Sequence, residues 1–469
     1  MKNITSQLAI LGGGPGGYTA AFRAADLGIE VTLIEPHTNL GGVCLNVGCI
    51  PSKTLLHIAN TLETTKELNH HGITFSTPNI DLNKLRTWKN SVIRRLATGL
   101  ATLAKMRNIN VVPGTGKFIS AKQIEVTTKE ETLSITFENI IIAAGSETIK
   151  LPFLPEDPRI MGATGALELD DIPGELLIIG GGVIGLEMAS IYNALGSKIS
   201  VVELTAQLIP GIDADLVKPL YDRINKKYNI MLETKVIKAE AKNDGIWVTF
   251  AGKNAIATPK RFDRVLVAVG RKPNSNLINT QAAGVVIDKK GFISVDANMR
   301  TNIANIFAIG DIVGNPLLAH KASAEGKIAA EVIAGKDHSK LVQHIPSIAY
   351  TDPEIATIGL TENEAREKNI PYKKALIPWQ ASGRALSMGR PEGFTKLLFD
   401  PKTEKILGGA LVGANAGELI AEIALALTLE ANASQIADTI HPHPTLSETI
   451  MLSAELFLGT VTDFYLPKK

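Results

Sequence analysis

Two cysteines, Cys44 and Cys49, could together perform redox chemistry. They are the only cysteines among the 469 residues, and they lie five apart in the segment Gly-Gly-Val-Cys-Leu-Asn-Val-Gly-Cys-Ile-Pro-Ser-Lys, which ends at Lys53. Gly48 between them permits the tight curvature that a disulfide at this spacing requires. A dithiol exchanges with such a disulfide by thiolate attack on sulfur, through a mixed disulfide. Cys49 also lies at a predicted helix start, where the positive end of the helix dipole would stabilise a thiolate.

Two other roles for the cysteine pair are a structural disulfide and half of a zinc site. Zinc sites need about four ligands, and the sequence has neither a further cysteine nor a nearby histidine cluster. The N-terminal residues run directly into a glycine motif and leave no room for a signal peptide, so we expect a cytoplasmic protein. A persistent structural disulfide is unusual in that compartment, and the pair is therefore predicted to be catalytic.

A histidine and a glutamate near the C-terminus could supply the proton transfer that thiol chemistry needs. His443 precedes Pro444, which suits the first position of a helix and would hold His443 extended just outside it. Glu448 follows five residues later, and its carboxylate could orient the imidazole and favour the protonated form. His441 lies two residues before His443, and two histidines at this spacing could bind a metal, but no third ligand is evident. The residues alone leave open whether His443 is a base or only caps a helix.

The cysteines follow a glycine motif that is typical of dinucleotide binding. Residues 8–11 read as a buried strand, the motif Gly12-x-Gly14-x-x-Gly17 opens an alanine-rich helix, and residues 30–34 read as a second strand that ends at Glu35. In such a unit the first glycine makes the tight turn, the second lets the backbone approach pyrophosphate, and the third lets the helix pack on the strand. The helix N-terminus faces the phosphates, and the acid accepts ribose hydroxyls.

The same motif occurs a second time. Gly180-x-Gly182-x-x-Gly185 lies between predicted strands at 176–179 and 198–202, and the second strand ends at Glu203. The interval from the first glycine to the acid is 23 residues in both copies. Identical spacing in the same strand–helix–strand context predicts two nucleotide sites rather than glycines that merely end strands. A carboxylate at the strand end repels a 2′-phosphate, so Glu203 favours NAD over NADP.

Length and composition indicate a globular protein of several domains. At roughly 100–200 residues per domain, about three domains are expected. Hydrophobic residues at 45% and charged residues at 20% are typical of a protein with ample core. The 48 Lys and Arg nearly balance the 47 Asp and Glu, which gives no reason to expect nucleic acid or an anionic membrane as a partner. No apolar run reaches the roughly 18 residues of a membrane span.

On these motifs the sequence resembles the pyridine nucleotide–disulfide oxidoreductases, and within them the members that oxidise dihydrolipoyl groups. The resemblance implies an α/β fold of two Rossmann-like dinucleotide-binding domains, for FAD and NAD, plus a C-terminal α+β dimerisation domain. The implied boundaries are 1–149 for the FAD domain, 150–272 for the NAD domain, 273–345 for a return segment of the FAD domain, and 346–469 for the dimer-interface domain. The residues that carry the resemblance are 12–17, 41–53, 180–187, 310–311, 319–320, 350–356 and 441–448.

The resemblance also implies how the thiol site would work. Cys44 would exchange with the substrate, and Cys49 would contact the flavin. His443, supported by Glu448, would be the base for the partner subunit's Cys44, so that a homodimer shares each active site.

Other residues would hold the cofactors. The resemblance implies that Lys53 lies over the flavin and pairs with Glu187. Asp311 would bind the ribityl chain of FAD, and Ala319 would begin a helix aimed at the flavin. Further cofactor-binding positions are implied at Gly116, Ser146, Val236 and Gly270.

The substrate is the main alternative that remains open. The resemblance implies an FAD-dependent NAD⁺ oxidoreductase that acts on lipoyl groups of an acyltransferase component of 2-oxoacid dehydrogenase complexes. Another FAD-dependent disulfide reductase, of the glutathione or mercuric reductase type, is the alternative. Mercury-reducing members need extra C-terminal thiols, which the chain lacks, and glutathione-type enzymes usually favour NADPH, which Glu203 opposes.

Two further points qualify the resemblance. A non-catalytic nucleotide-binding scaffold is disfavoured because every catalytic residue type is present. The chain departs from the family at Ala144, where members usually carry threonine, so the hydrogen bond of that hydroxyl is not expected.

Overall fold

A computed structural model of the chain describes residues 2–336 and 344–464. Strands and helices alternate along the first two thirds of the chain, as is typical of an α/β protein. The implied domains 1–149, 273–345 and 346–469 include residues 1, 337–343 and 465–469, which lie outside the described residues. Among the described residues, no helix combines the length and the apolar character that a bilayer span requires.

The elements follow one another in three stretches of the chain. The first stretch forms β1 (Lys2–Leu11), α1 (Pro15–Asp26), β2 (Val31–Glu35), α2 (Gly42–Val47), α3 (Cys49–Glu67), α4 (Leu82–Met106), β3 (Asn110–Pro113), β4 (Thr115–Ser120), β5 (Gln123–Thr127), β6 (Thr132–Ile142) and β7 (Ser146–Thr148). The second stretch forms β8 (Ile160–Gly162), α5 (Ala163–Glu168), β9 (Glu175–Ile179), α6 (Val183–Leu195), β10 (Lys198–Val202), α7 (Ala214–Ile224), β11 (Asn229–Met231), β12 (Thr234–Lys242), β13 (Gly245–Gly252), β14 (Lys260–Phe262), β15 (Arg264–Val267), β16 (Arg271–Pro273), β17 (Ile306–Ala308) and α8 (Ala319–Ile333). The third stretch forms β18 (Ser347–Ala349), β19 (Glu354–Gly359), α9 (Glu362–Glu367), β20 (Lys373–Pro378), α10 (Gly383–Ser387), β21 (Phe394–Phe399), β22 (Ile406–Gly413), α11 (Ala416–Thr428), α12 (Ala433–Ala437) and α13 (Glu448–Leu458). Short 3₁₀ helices lie at Leu68–His71, Ser275–Leu277, Thr280–Ala283, Gly310–Val313 and Trp379–Ala381.

The first sheet carries the first glycine motif at one edge. Its strand order is β3-β2-β1-β6-β5-β4, and β17 pairs with β6. β1 runs parallel to both β2 and β6, and Leu11 lies opposite Ile34 and Ile142. The carboxyl ends of these strands therefore meet at one edge, which is where ligands bind in sheets of this kind. The strands predicted at 8–11 and 30–34 are confirmed, although β1 begins well before the predicted start, at Lys2.

The second sheet repeats this arrangement. Its order is β11-β10-β9-β15-β8, and all its strand pairs are parallel. Ile179 lies opposite Val202 and Val267, so the second glycine motif again follows the carboxyl end of a central strand. The strands predicted at 176–179 and 198–202 are confirmed. A three-stranded antiparallel sheet (β12-β13-β14) and the short pair β16-β7 accompany it.

The last stretch forms an antiparallel sheet, which we call the interface sheet, in the order β18-β19-β22-β21-β20. Its core includes Trp379, Phe399 and Leu411, all fully buried, against apolar residues of α11 and α13. The implied α+β character of this region agrees with the structure.

A buried lysine joins the interface sheet to the second nucleotide-binding region. The Lys396 Nζ, on β21, lies 3.0 Å from Asp213 Oδ2, 2.9 Å from Asp215 Oδ2 and 3.0 Å from Glu362 Oε1. Burial alone would raise the pKa of Glu362, but hydrogen bonds from Lys396, Lys374 and Tyr372 lower it to about 2. Because the ammonium fills the space between the three carboxylates, this cluster is an ion-pair network and not a cation site.

We expect Lys396→Met to destabilise the protein severely. The substitution keeps the length of the side chain but leaves the buried Asp213 carboxylate without its cation, which costs about 3–5 kcal/mol in the free energy of unfolding. Thermal and denaturant unfolding measure the change.

Lys405→Met is the matched control for this substitution. Lys405 pairs with Glu430 at the surface, where both side chains are largely exposed, so no measurable change is expected. Equal behaviour of the two variants would contradict a structural role for the buried network.

Candidate active site

The two cysteines lie on either side of a break between two helices. Cys44 is in α2, and Cys49 is the first residue of α3, as predicted. Gly48 separates the helices, and a Cβ there would lie 2.8 Å from the carbonyl oxygen of Val43, so the close turn requires glycine. Both cysteines are free thiols in this structure, and the two sulfurs interact closely enough that the ionisation of each depends on the other.

The two sulfurs differ in their tendency to ionise. Interaction with the Cys44 thiol and the positive charge of Lys53 lower the pKa of Cys49 to about 7, although partial desolvation opposes this shift. Interaction with Cys49 and partial burial raise the pKa of Cys44 far above its ordinary value. Cys49 also stands at the N-terminus of α3, where no side chain caps the helix and the dipole favours negative charge. In the reduced pair, Cys49 is the sulfur that carries the charge.

A buried carboxylate holds the lysine of the thiol helix. Lys53 Nζ lies 2.8 Å from both carboxylate oxygens of Glu187 in α6, which confirms the implied pairing. Ser52 Oγ donates to the same carboxylate at 3.0 Å, and the backbone N–H of Tyr350 donates to it at 3.3 Å. The sequence motifs contain Ser52 and Tyr350 but predict no role for them, because their partner lies more than 130 residues away in sequence.

The first glycine turn has the geometry that its sequence predicts. Gly12 has φ of +112°, which favours glycine, and a Cβ on Gly17 would lie 1.8 Å from the Gly12 carbonyl oxygen. The Glu35 carboxylate accepts hydrogen bonds from the backbone N–H groups of Gly13 (2.7 Å) and His37 (2.9 Å). A buried carboxylate thus braces the turn from the end of β2.

The second turn matches the first contact for contact. Gly180 has φ of +107°, and a Cβ on Gly185 would lie 2.2 Å from the Gly180 carbonyl oxygen. The Glu203 carboxylate accepts from the backbone N–H groups of Gly181 and Thr205, both at 2.8 Å. The repeat seen in the sequence is therefore a repeat of hydrogen bonds as well.

These turns fit the pyrophosphates of two dinucleotides. A Cβ on Gly14 would meet its nearest heavy atom only at 3.9 Å, and a Cβ on Gly182 would meet none within 4 Å, so both turns face open space. α1 and α6 begin at these glycines without a side-chain cap, which leaves their first N–H groups free for phosphate oxygens. Each carboxylate at the strand end also keeps lone pairs for ribose hydroxyls.

Two further predicted positions lie at equivalent places in the repeat. The Gly114 N–H donates to the Glu35 carbonyl oxygen at 3.1 Å, and the Thr234 N–H donates to that of Glu203 at 3.0 Å. Gly116 and Val236 each follow two residues later in β4 and β12, and both are buried. The structure thus brings both beside the strand-end acids.

A polar cluster surrounds the first site where β17 ends. Ser146 Oγ donates to Asp311 Oδ2, and the guanidinium of Arg271 donates to Ser146 Oγ at 2.7 Å. Gly270, just before Arg271, has φ of +112°. α8 begins at Ala319, as predicted, without a side-chain cap. Sequence reasoning missed Arg271, although its place directly after a predicted cofactor glycine was a usable signal.

The histidine and glutamate near the C-terminus form the predicted pair. His443 Nδ1 lies 2.8 Å from Glu448 Oε1, and the Thr445 N–H donates to Glu448 Oε2 at 2.7 Å. Burial would raise the pKa of Glu448, but these two hydrogen bonds lower it, so the carboxylate is charged. No hydrogen bond or ion pair among the described residues joins His443 to Cys44 or Cys49 of the same chain.

One expectation about this pair is wrong. Pro444 is not the first helical residue, because α13 begins four residues later, at Glu448, and the His443–Pro444 peptide is cis. The helix start coincides with Glu448 because its carboxylate accepts the Thr445 N–H and closes the preceding turn. His441 differs from His443, since its Nε2 lies 2.6 Å from Glu422 and its side chain is only 4% exposed, against 79% for His443.

Comparison with known proteins identifies the family of the chain. A family model described as pyridine nucleotide-disulphide oxidoreductase matches residues 6–326, and one described as the dimerisation domain of the same family matches residues 345–454. A dihydrolipoyl dehydrogenase of Vibrio cholerae is 56% identical over 463 residues, covering 98% of both chains. One of Haemophilus influenzae is 52% identical over 464 residues, covering 98% of this chain and 97% of the relative.

A solved structure of a flavoprotein disulfide reductase has a similar fold. The HOCl-induced flavoprotein disulfide reductase RclA from Escherichia coli, as a Cu(II) complex, superposes with a TM-score of 0.85 at 28% identity, covering 97% of this chain and 99% of that chain. Together with the two family models, these similarities show that the chain belongs to the pyridine nucleotide-disulphide oxidoreductase family, whose enzymes use FAD and NAD(H).

Proposed function

We propose that this chain oxidises dihydrolipoyl groups and reduces NAD⁺ to NADH, with Cys44 and Cys49 as its redox disulfide. The observation that carries the proposal is the asymmetric thiol pair, in which Cys44 lies in α2 and Cys49 begins α3, the helix that also carries the Lys53–Glu187 ion pair. The relatives named dihydrolipoyl dehydrogenase, which match the chain from end to end, support this substrate over glutathione or mercuric ion.

The proposed role of each sulfur follows from this asymmetry. A thiolate of the dihydrolipoyl group attacks Cys44, which forms a mixed disulfide and breaks the Cys44–Cys49 bond. Cys49 receives the electron pair of that bond, and its low pKa lets it leave as a thiolate. The second substrate thiol then displaces Cys44, which completes the lipoyl disulfide and leaves the protein pair reduced. FAD, which the first glycine turn and Glu35 would hold, would supply the two-electron chemistry that links the reduced thiols, and one proton, to the formation of NADH.

We propose a homodimer in which His443 of the partner subunit takes the proton that the substrate thiol releases. The matched dimerisation domain supports the dimer. The 79% exposure of the His443 side chain in the single chain and the charged carboxylate of Glu448 support a base that faces another subunit. Leu425, Leu429 and Ile440 of the same region are also exposed, which suits an interface.

We propose the domain boundaries on similar grounds. Residues 1–149 and 273–345 would hold FAD, residues 150–272 would hold NAD, and residues 346–469 would form the interface domain. The pairing of β17 with β6 supports the return of the chain to the first sheet. Gly12, Gly14, Gly17 and Glu35 would bind FAD with Asp311, and Gly180, Gly182, Gly185 and Glu203 would bind NAD.

A partner and a location complete the proposal. Lipoyl groups would arrive on the acyltransferase component of a 2-oxoacid dehydrogenase complex. The cytoplasm suits a cysteine pair that must cycle between disulfide and dithiol.

Purified protein should form NADH from dihydrolipoamide and NAD⁺, and Cys44→Ser should reduce this rate by more than about a thousandfold, because the mixed disulfide no longer forms. The measurement is NADH absorbance. NADH-dependent reduction of a one-electron dye does not need the thiol pair, so it should persist in Cys44→Ser and serve as the folding control. Rapid reduction of glutathione disulfide with NADPH by the unmodified protein would instead indicate the alternative substrate.

Hybrid dimers test the shared site. A dimer of one Cys44→Ser subunit and one His443→Gln subunit contains one site with both residues intact only if each site uses histidine and cysteine from different chains. We expect about half of the native rate from purified hybrids, which carry two different affinity tags, while both parent homodimers stay inactive. An inactive hybrid would show that both residues act within one chain.

The preference for NAD⁺ over NADP⁺ tests the proposed role of Glu203. Removal of this carboxylate in Glu203→Ala removes the repulsion of a 2′-phosphate, so the ratio of kcat/KM for NAD⁺ to that for NADP⁺ should fall by about tenfold or more. Glu35→Ala is the matched control, since its carboxylate makes the same contacts in the first site. It should weaken FAD retention and leave the coenzyme ratio of the flavin-loaded protein unchanged. An unchanged ratio in Glu203→Ala would overturn the role of this residue.

A further inference from the structure

Tyr350 brings the interface sheet into contact with the thiol helix. It directly follows β18, yet its ring lies beneath the Lys53 ammonium, with Nζ 4.5 Å from the ring centroid. This distance is within the range of a cation–π interaction. Its backbone N–H also donates to Glu187 Oε1 at 3.3 Å. The residue therefore touches both members of the ion pair beside Cys49.

The ring of Tyr350 also lies close to the start of α11. A Cβ on Gly417, near the start of α11, would lie 3.4 Å from Tyr350 Cε1, so the ring packs against helix backbone. The Gly417 N–H is fixed in turn by Glu354 Oε2 at 2.8 Å. Burial raises the pKa of Tyr350, so the phenol stays neutral near neutral pH. A neutral ring in a fixed place can restrain a neighbouring cation.

Lys53 needs such a restraint. Its side chain is 35% exposed and ends a flexible four-carbon stem, which gives the ammonium room to turn toward solvent. The Glu187 carboxylate holds it from one side, and the Tyr350 ring closes a second side. The groups that face Cys49 are Cys44 from α2, Lys53 from α3, Glu187 from α6, and Tyr350.

We propose that Tyr350 is a positioning residue, whose ring face keeps the Lys53 ammonium beside Cys49 and thereby sets how much of Cys49 is present as thiolate. The interface sheet would then tune the redox pair of its own chain, separately from any residue it supplies to a partner. The inference rests on the proposed function only in that Cys49 is taken as the charged sulfur of the redox pair.

An anaerobic pH titration of the reduced, FAD-loaded protein tests this role. Thiolate absorbance in the ultraviolet reports ionisation, and the difference from the matching Cys49→Ser protein isolates one sulfur. The native midpoint should lie near pH 7. Tyr350→Met removes the ring face, and the midpoint should rise by about half a unit to one unit, which corresponds to roughly three- to tenfold less thiolate below the midpoint.

Two controls separate the ring from the rest of the residue. Tyr350→Phe keeps the ring and should leave the midpoint unchanged. In a Lys53→Met background, Tyr350→Met should cause no further shift, because the two residues act through one interaction. If Tyr350→Met does not fold, 3,5-difluorophenylalanine at this position keeps the shape of phenylalanine but weakens the ring face, and the midpoint should rise relative to Tyr350→Phe.

Three results would overturn the proposal: an unchanged midpoint without the ring face, an equal shift in Tyr350→Phe, or a shift that persists without Lys53. The titration uses dithiothreitol as reductant and needs neither a dihydrolipoyl substrate nor NAD⁺. Its outcome therefore stands whether or not the proposed activity is found.

Discussion

One buried carboxylate, that of Glu187, connects the parts of the chain that must act together. It belongs to α6, the helix whose N-terminus faces the second glycine turn, and it accepts hydrogen bonds from Lys53 and Ser52 of the thiol helix. It also accepts the Tyr350 N–H from the end of β18. A buried carboxylate is costly unless its oxygens are satisfied, and here donors from two other segments, α3 and the end of β18, satisfy it. The thiol helix can therefore keep its charge and its place only when all three segments are assembled.

The two nucleotide-binding turns share the same local geometry. In each, a strand-end glutamate accepts the N–H that follows the first glycine, and the third glycine packs on the first. The two units differ in the elements that come after the strand-end acid. After Glu35 the chain inserts α2 and α3, which carry one cysteine each, whereas after Glu203 it continues into α7. The inserted helices provide the first site with its thiols. Glu187 of α6 bonds to Ser52 and Lys53 and so connects the thiol helix to the second site.

The interface sheet also contacts the thiol site and the second nucleotide-binding region. It supplies Tyr350 to the thiol site, and it carries the buried Lys396 network that joins it to α7. The same region exposes His443 while it buries His441, two residues away. The two histidines also differ in their hydrogen bonds. His441 is bonded at both ring nitrogens, to Thr439 and Glu422, whereas among the described residues His443 is bonded only at Nδ1, to Glu448.

The sequence by itself determined the features that depend on neighbours along the chain. The glycine spacing indicated both turns, the cysteine spacing indicated the redox pair, and the helix start at Cys49 was expected from its local residues. The pairing of Lys53 with Glu187 was available only through the family resemblance, because 134 residues separate them. The tertiary structure alone revealed the contacts of Arg271 with Ser146, the cation–π contact of Tyr350, and a C-terminal helix that begins at Glu448 rather than at Pro444. Backbone conformation and helix capping depend on a few neighbouring residues, so they can be predicted from local sequence. A contact between distant residues depends on how sheets and helices pack, and a local sequence pattern does not predict it.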